Sequence, residues 1–451
     1  MISWLDQLKF GKQAGYETIF KRQNTKLVGK TGVILAEIGM PEGYDVSFYN
    51  RYMYHVFQYS IPFFIRPLVL VDRGIALIDP ENPLAREAFS PKQLIDAHGS
   101  FTNRSDKAYV DCKVTWRKPS ISKNPWDHGY FIYTEEGKGG APDLCQKTSA
   151  KVKGWYFDRL LPNKKVPWAY QHRLIYKESA EKLRHQFPNV HFIQAFYSNE
   201  DSLYAAANEL LNKGCQTIVY QCYSNPVYSD FEEYATTIPC LASHIHGRAK
   251  LIIADQIGNQ RQLAHGIAQR LQDVLEGLPA RASIFVILSK HGHPFKKETQ
   301  DQRAYLYRQP VEATVREVMA NYPGKWELTW SDDEFADAYW DPKNTKLDTR
   351  QAHSYAIQKN FDYAIELPTE FFGENTDTMI FHAMKKYDVF DDYDRNRPVE
   401  YYDWDQPMVR TFHNKSTKAI YAGCLVGPYR SFVVDAIVSS LSEVLGDSKT
   451  K

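Results

Sequence analysis

Cysteine is scarce in this chain. Its six residues, at 112, 145, 215, 222, 240 and 424, share no two-residue spacing. A zinc ribbon, a redox cysteine pair and a local iron–sulfur binding run are therefore unsupported, and most of the six are expected to be free thiols. An excess of charge of either sign is also missing: 55 Lys plus Arg stand against 54 Asp plus Glu. No global field draws in nucleic acid, and no basic, aromatic-studded motif argues for it as a partner. Long hydrophobic runs are absent too. The most apolar stretch, Tyr59 to Val71, is broken by Pro62, Arg66 and Pro67 and is too short to span a bilayer. It reads as a packed lip or core segment, with peripheral contact to a membrane surface as the second reading. The opening Met1-Ile2-Ser3-Trp4-Leu5-Asp6 carries an acid early and lacks the apolar core and cleavage site of a secretory signal, so a cytoplasmic protein is expected. Neither an internal repeat nor a low-complexity tract is visible.

What is present is enough for two linked domains: 451 residues, 43% hydrophobic and 24% charged. Short β-rich runs recur at Thr31 to Ile38, Val190 to Phe196, Thr217 to Gln221, Lys250 to Ala254, Ser283 to Leu288, Trp326 to Trp330 and Tyr363 to Leu367. Between them, Asp201 to Asn212, Asn259 to Glu276, Val311 to Asn321 and Tyr429 to Leu445 place apolar residues three and four apart, as helices do. The alternation predicts an α/β fold of mostly parallel sheets flanked by helices. Two segments break the rhythm. Residues 79–160, rich in Lys, Ser, Pro, Asp and aromatics, read as a long, partly irregular insertion. Tyr387 to Asp405 mixes Asp and Tyr and reads as a solvated aromatic loop rather than a metal site.

In open α/β sheets ligands sit outside the carboxyl ends of the strands. After the apolar run Ile284 to Leu288 the chain places Ser289-Lys290-His291-Gly292-His293-Pro294. An imidazole there can take a proton or ligate a metal near neutral pH. On spacing alone, a hydrogen-bonded structural histidine is the commoner outcome.

Several short segments, in order, carry a resemblance. They are Gly32 to Pro41, with its Gly39-Met40-Pro41 turn; Pro226-Val227-Tyr228-Ser229; Ser289 to Pro294; Trp330-Ser331 followed by Tyr339-Trp340-Asp341-Pro342; Phe371 to Asp377; and Cys424-Leu425 with Pro428, Phe432 and Ala436. Together they resemble the ferrochelatase branch of the class II chelatases from about residue 30 to 445, omitting the insertion. The family's Ser-Ala-His-x-x-Pro matches Ser289 to Pro294, and its catalytic His falls on His291. Its Phe-x-x-Asp-His-x-Glu falls on Phe371 to Asp377, so Glu374 stands for Asp, Asn375 for His and Asp377 for the catalytic Glu. The resemblance implies two Rossmann-like, chelatase-like domains. Residues 31–235 would form the first, carrying the insertion, and 236–428 the second, carrying the metal-insertion site. Residues 1–30 would be a helical extension, and 429–451 a helix packing back on the first domain.

The implied activity is insertion of a divalent metal, Fe(II) first, into a porphyrin, a lyase step of haem biosynthesis. The implied catalytic set is His291, Asp377 and Glu374, with His291, Asp377 and His293 toward the metal. Tyr228, Trp340, Ser331 and Met40 would meet the macrocycle; from its residue chemistry alone Arg66 suits a propionate, with a solvated Arg beside a helix end as the equal reading. Porphyrin and metal ion are the expected partners, with no organic cofactor and no iron–sulfur cluster. Two alternatives stay open: a chelatase for another metal or tetrapyrrole, working in either direction, and a non-catalytic tetrapyrrole-binding protein on the same fold. The chain departs from the family where acidic residues should follow the catalytic Glu at four-residue intervals: Phe381 and Lys385 stand there. It also has Phe196-Tyr197 where the family often carries an Arg before the Tyr.

Overall fold

The computed structural model describes residues 26–43, 94–96, 101–102, 130–132, 157, 160–161, 163–198, 200–228, 237–291, 298–333, 347–381, 386–394 and 397–446. Tyr59 to Val71, Arg66, His293, Trp340 and almost all of the extension and the insertion lie outside these residues. The strands are β1 (Thr31–Glu37), β2 (Leu94–Asp96), β3 (Phe101–Thr102), β4 (Tyr130–Ile132), β5 (His191–Phe196), β6 (Thr217–Cys222), β7 (Lys250–Ile253), β8 (Ile284–Lys290), β9 (Trp326–Asp332), β10 (Tyr363–Pro368), β11 (Arg410–His413) and β12 (Lys418–Tyr421). The helices are α1 (Trp168–Gln186), α2 (Glu200–Asn212), α3 (Thr237–Ile245), α4 (Arg261–Glu276), α5 (Glu298–Ala320), α6 (Thr349–Gln358) and α7 (Arg430–Gly446).

Two mostly parallel sheets flanked by helices make up the fold. The first runs β5-β1-β6-β7 and is wholly parallel. The second runs β11-β12-β10-β8-β9, parallel except for the edge strand β11. β2, β3 and β4 form a small antiparallel sheet inside the insertion. Taken in chain order, the parallel strands of both large sheets follow the same pattern: second, first, third, fourth. No repeat shows in the sequence because the likeness is one of connectivity. Each sheet therefore has one point where the chain reverses direction across it. In the first it lies between the carboxyl ends of β1 and β6, in the second between those of β8 and β10. Such switch points open the crevice in which α/β sheets bind ligands.

The strands read as continuous buried runs, Thr31–Glu37 and Thr217–Cys222 being buried throughout, because helices cover both faces. The first sheet takes in Lys250–Ile253, so it crosses the boundary expected at 235/236. The reason is the register: β7 pairs with β6 from Thr217↔Lys250 onward. α7 buries Val433, Val434, Ala436, Ile437, Leu441 and Leu445 and packs on both α1 and α4. α5 begins at Glu298, well before the expected Val311, and carries Pro310 inside it. A proline favours a first turn, which is why the pattern suggested a start just after it.

The Tyr387 to Asp405 segment is irregular and only partly solvated: Tyr402 is exposed, whereas Tyr387, Phe390 and Tyr401 are buried. Tyr387 is 1% exposed and Phe390 4%, and Tyr387 stacks on Phe412 with centroids 4.2 Å apart. The aspartates beside them face water while the rings complete the core, a division that an alternating Asp/Tyr composition permits. Cys215, Cys222, Cys240 and Cys424 are buried thiols that form no disulfide. Among the described residues no helix is long and apolar enough to cross a membrane.

Candidate functional site

His291 follows directly on β8, at the switch point of the second sheet. β8 and β10 are tied there: the backbone N–H and the hydroxyl of Thr369 both donate to the Ser289 carbonyl at 2.8 Å. The next residue, Glu370, accepts the His291 backbone N–H on Oε2 at 3.1 Å and the Arg308 guanidinium on Oε1 at 3.0 Å. Arg308 comes from α5, and Tyr307 beside it donates to the Thr369 carbonyl. A buried carboxylate bridging a guanidinium and a backbone amide thus fixes where the His291 Cα stands. Phe371 sets its ring against the imidazole edge-on, at 5.3 Å and 88°.

The imidazole faces Asp377, with 4.0 Å between Nε2 and Oδ2; the two side chains are 23% and 14% exposed. That separation is electrostatic contact rather than a hydrogen bond. Asp377 opens a π-helical turn over Asp377–Phe381, a deviation that often marks functional sites. Asn375 caps this turn: its Oδ1 accepts the N–H of Asp377 at 2.7 Å and of Thr378 at 3.1 Å, while the Thr378 hydroxyl accepts the Asn375 N–H at 2.9 Å. The residue in place of the family's histidine is a helix cap. Asn375→Ala is expected to lower stability by about 1 kcal/mol and to free Asp377 from its place opposite His291. Denaturant midpoint and turnover, measured on the same preparation, check both.

Lys290 points away from this pair and is held by Asp332, Nζ to Oδ2 at 3.0 Å. Its charge is paired there.

Glu374 is brought elsewhere. It is fully buried, with Oε1 accepting the Cys424 N–H at 2.7 Å and Oε2 the Tyr421 hydroxyl at 3.1 Å. Burial raises its pKa, against the pull of those hydrogen bonds. It anchors its loop to β12, and its carboxyl is committed to that job. Tyr228 is 3% exposed and donates to the Ala254 carbonyl at 2.9 Å, tying a loop to the first sheet. Met40 lies in the core cluster with it. Ser331 is buried and bonds the Thr349 hydroxyl at 2.7 Å, which in turn donates to Asp333. These three therefore serve packing and capping. The residues the sequence reading missed are Glu370 and Arg308. Glu370 stands two positions after β10, where the strand-end rule would have found it; nothing local marks Arg308.

Among the described residues no group of three or more His, Cys, Asp or Glu could hold a metal ion. An open cleft of about 380 Å³, lined by Asp362, His413, Lys415 and Lys418 among others, lies at the amino ends of β10 and β12, away from His291.

No protein-family model matches the chain, and no curated protein matches it. Among solved structures, SirB from Bacillus subtilis with Fe3+ is similar over 61% of this chain and 92% of its own, at 12% identity and a TM-score of 0.38. A solute-binding protein of an ABC transporter from Clostridium phytofermentas, with bound L-rhamnose, is similar over 60% of this chain and 78% of its own, at 12% identity and a TM-score of 0.24. A putative LacI-family repressor from Corynebacterium glutamicum covers 60% and 87%, at 10% identity and a TM-score of 0.24.

Proposed function

We propose that this protein is a metal chelatase that inserts a divalent metal, Fe(II) first, into a porphyrin. The observation that carries the reading is His291 at the switch point of the second sheet with the Asp377 carboxylate 4.0 Å from its Nε2. Metal insertion requires two pyrrole N–H protons to leave while the metal sheds its water. The imidazole takes a proton from nitrogen. The Asp377 carboxylate stabilises the imidazolium so formed and draws in the cation. Imidazole with carboxylate also suits Fe(II) and its first-row neighbours. Glu370 and Arg308 hold the strand end still, so that the base need not reorganise during the reaction.

Asp377→Asn keeps the shape and removes the charge. Two unit charges 4 Å apart at a partly exposed site interact by at most about 4 kcal/mol, and solvent screening reduces that. Turnover is expected to fall on the order of tenfold to a hundredfold, with the KM for porphyrin unchanged.

The test is anaerobic incubation of the full chain with Fe(II), Co(II), Ni(II) and Zn(II) and several metal-free tetrapyrroles, followed by absorbance. Replacement of the free-base bands by those of a metalloporphyrin, fastest with Fe(II), is the expected result. Faster insertion of another metal would reassign the substrate. A second reading, a tetrapyrrole-binding protein without turnover, draws on the 4.0 Å gap, which is too long for a hydrogen bond. Porphyrin bound with no metal incorporated would establish that reading and overturn the first.

A further inference from the structure

The first sheet has its own switch point, and β1 ends there in Glu37. The side chain is buried at 2% exposure. Two donors converge on one of its oxygens: the Gly39 backbone N–H reaches Oε2 at 2.7 Å and the Trp168 indole N–H at 2.9 Å. Gly39 manages this because its φ of 79° folds the chain back over the strand end, a conformation glycine adopts without strain. Among the described residues no donor reaches Oε1. A carboxyl gripped through one oxygen is oriented, and the other oxygen is left to accept an N–H or take its proton.

The surroundings of Glu37 reach across to the second sheet. Trp168 stacks on His172 at 3.9 Å and 21°. His172 is fully buried, and its Nε2 has no partner among the described residues. It lies against Gly373, where a Cβ would come within 2.9 Å of its Cε1, so only glycine fits. Beside it, Gln171 Oε1 accepts the Glu374 N–H at 2.8 Å. Two residues before Gly373, Phe371 meets the His291 ring. Residues 371–374 thus connect the two switch points: His291 meets Phe371 directly, and Glu37 is linked to Gly373 by way of Trp168 and His172.

We infer that Glu37 is a second acid–base group of the chelatase site, receiving from the first sheet the pyrrole proton that His291 does not take. This rests on the function proposed above. Two N–H bonds break and the electron pairs of both nitrogens form bonds to the metal. One proton passes to the His291 imidazole and the other to the Glu37 carboxylate; nothing is oxidised or reduced. The electrostatics suit the task. Burial pushes Glu37 up to about 7, against the pull of Gly39 and Trp168. Among the described residues, two titratable groups packed near it are uncharged: burial drives His172 down to about 3 and the Tyr223 phenol well above its usual range.

Glu37→Gln keeps an oxygen for Gly39 and Trp168 but cannot take a proton. With the full chain, free-base porphyrin and whichever metal the native protein inserts, kcat is expected to fall roughly 10²- to 10⁴-fold while the KM for porphyrin holds. The part of the native acidic limb that Glu37 sets, near pH 7, should disappear from the kcat profile, leaving the part that His291 sets. Trp168→Phe removes a donor that holds Glu37 down, so in that variant the limb should move to higher pH. This second readout decides independently should the Gln variant fail to fold. Native turnover in Glu37→Gln, or a limb unmoved in Trp168→Phe, would overturn the inference while leaving the chelatase reading intact. Absence of insertion by the native chain would overturn that reading first.

Discussion

His291→Ala is expected to cut metal insertion by roughly 10²- to 10⁴-fold, the range a positioned general base contributes. The imidazole is the group facing Asp377, and the His291 backbone N–H is held by Glu370. Truncation should therefore leave the strand end in place. The KM for porphyrin should hold, and the denaturant midpoint should move little, because the ring is 23% exposed and packs on one side against Phe371. Added imidazole should restore part of the rate, which a structural role would not allow. Turnover unchanged in His291→Ala would sink the assignment of the site.

Glu366→Leu should be the most destabilising of the substitutions considered. Glu366 sits on β10 with no exposure, and its Oε2 meets His353 Nε2 at 3.0 Å and accepts the Tyr387 hydroxyl at 2.5 Å. Leucine would leave an imidazole and a phenol in the core without their acceptor. Breaking such a buried set from one side costs about 3–5 kcal/mol, against a typical total stability of about 5–15 kcal/mol. Urea unfolding should show the loss as a lower midpoint. Glu366→Gln, which preserves an acceptor, should lose much less. Equal midpoints for the Leu variant and the native chain would show that the three groups are not coupled.

The strands were the most legible part of the chain. All seven expected runs are strands, with ends shifted by one or two residues, because parallel strands covered on both faces are unbroken apolar runs between turn residues. Helix α1 is not legible from apolar spacing: its buried stripe includes Gln171, His172 and Ser179, and Gln171 finds its partners at Tyr401 and Trp404, far along the chain. The hairpin β11–β12 is short, and β11 buries only Phe412 of its four residues, so it carries little local signal. At the site, His291 could be found from its place after β8. Its separation from Asp377, 86 residues on, could not.

The sequence by itself determined the α/β class, most element positions and the candidate base, since all three depend on local composition and period. Only the tertiary structure decided the order of the strands, and with it the two switch points. It brought Glu370 and Arg308 to the back of His291, turned Lys290 onto Asp332, and drew Glu374 away to Tyr421 and Cys424. It also set Glu37 under Trp168, whose ring stacks on His172, which lies against the loop that touches His291. The physical reason is that periodicity records whether a side chain is buried. Which partner meets it there depends on the register and packing of segments far apart in the chain.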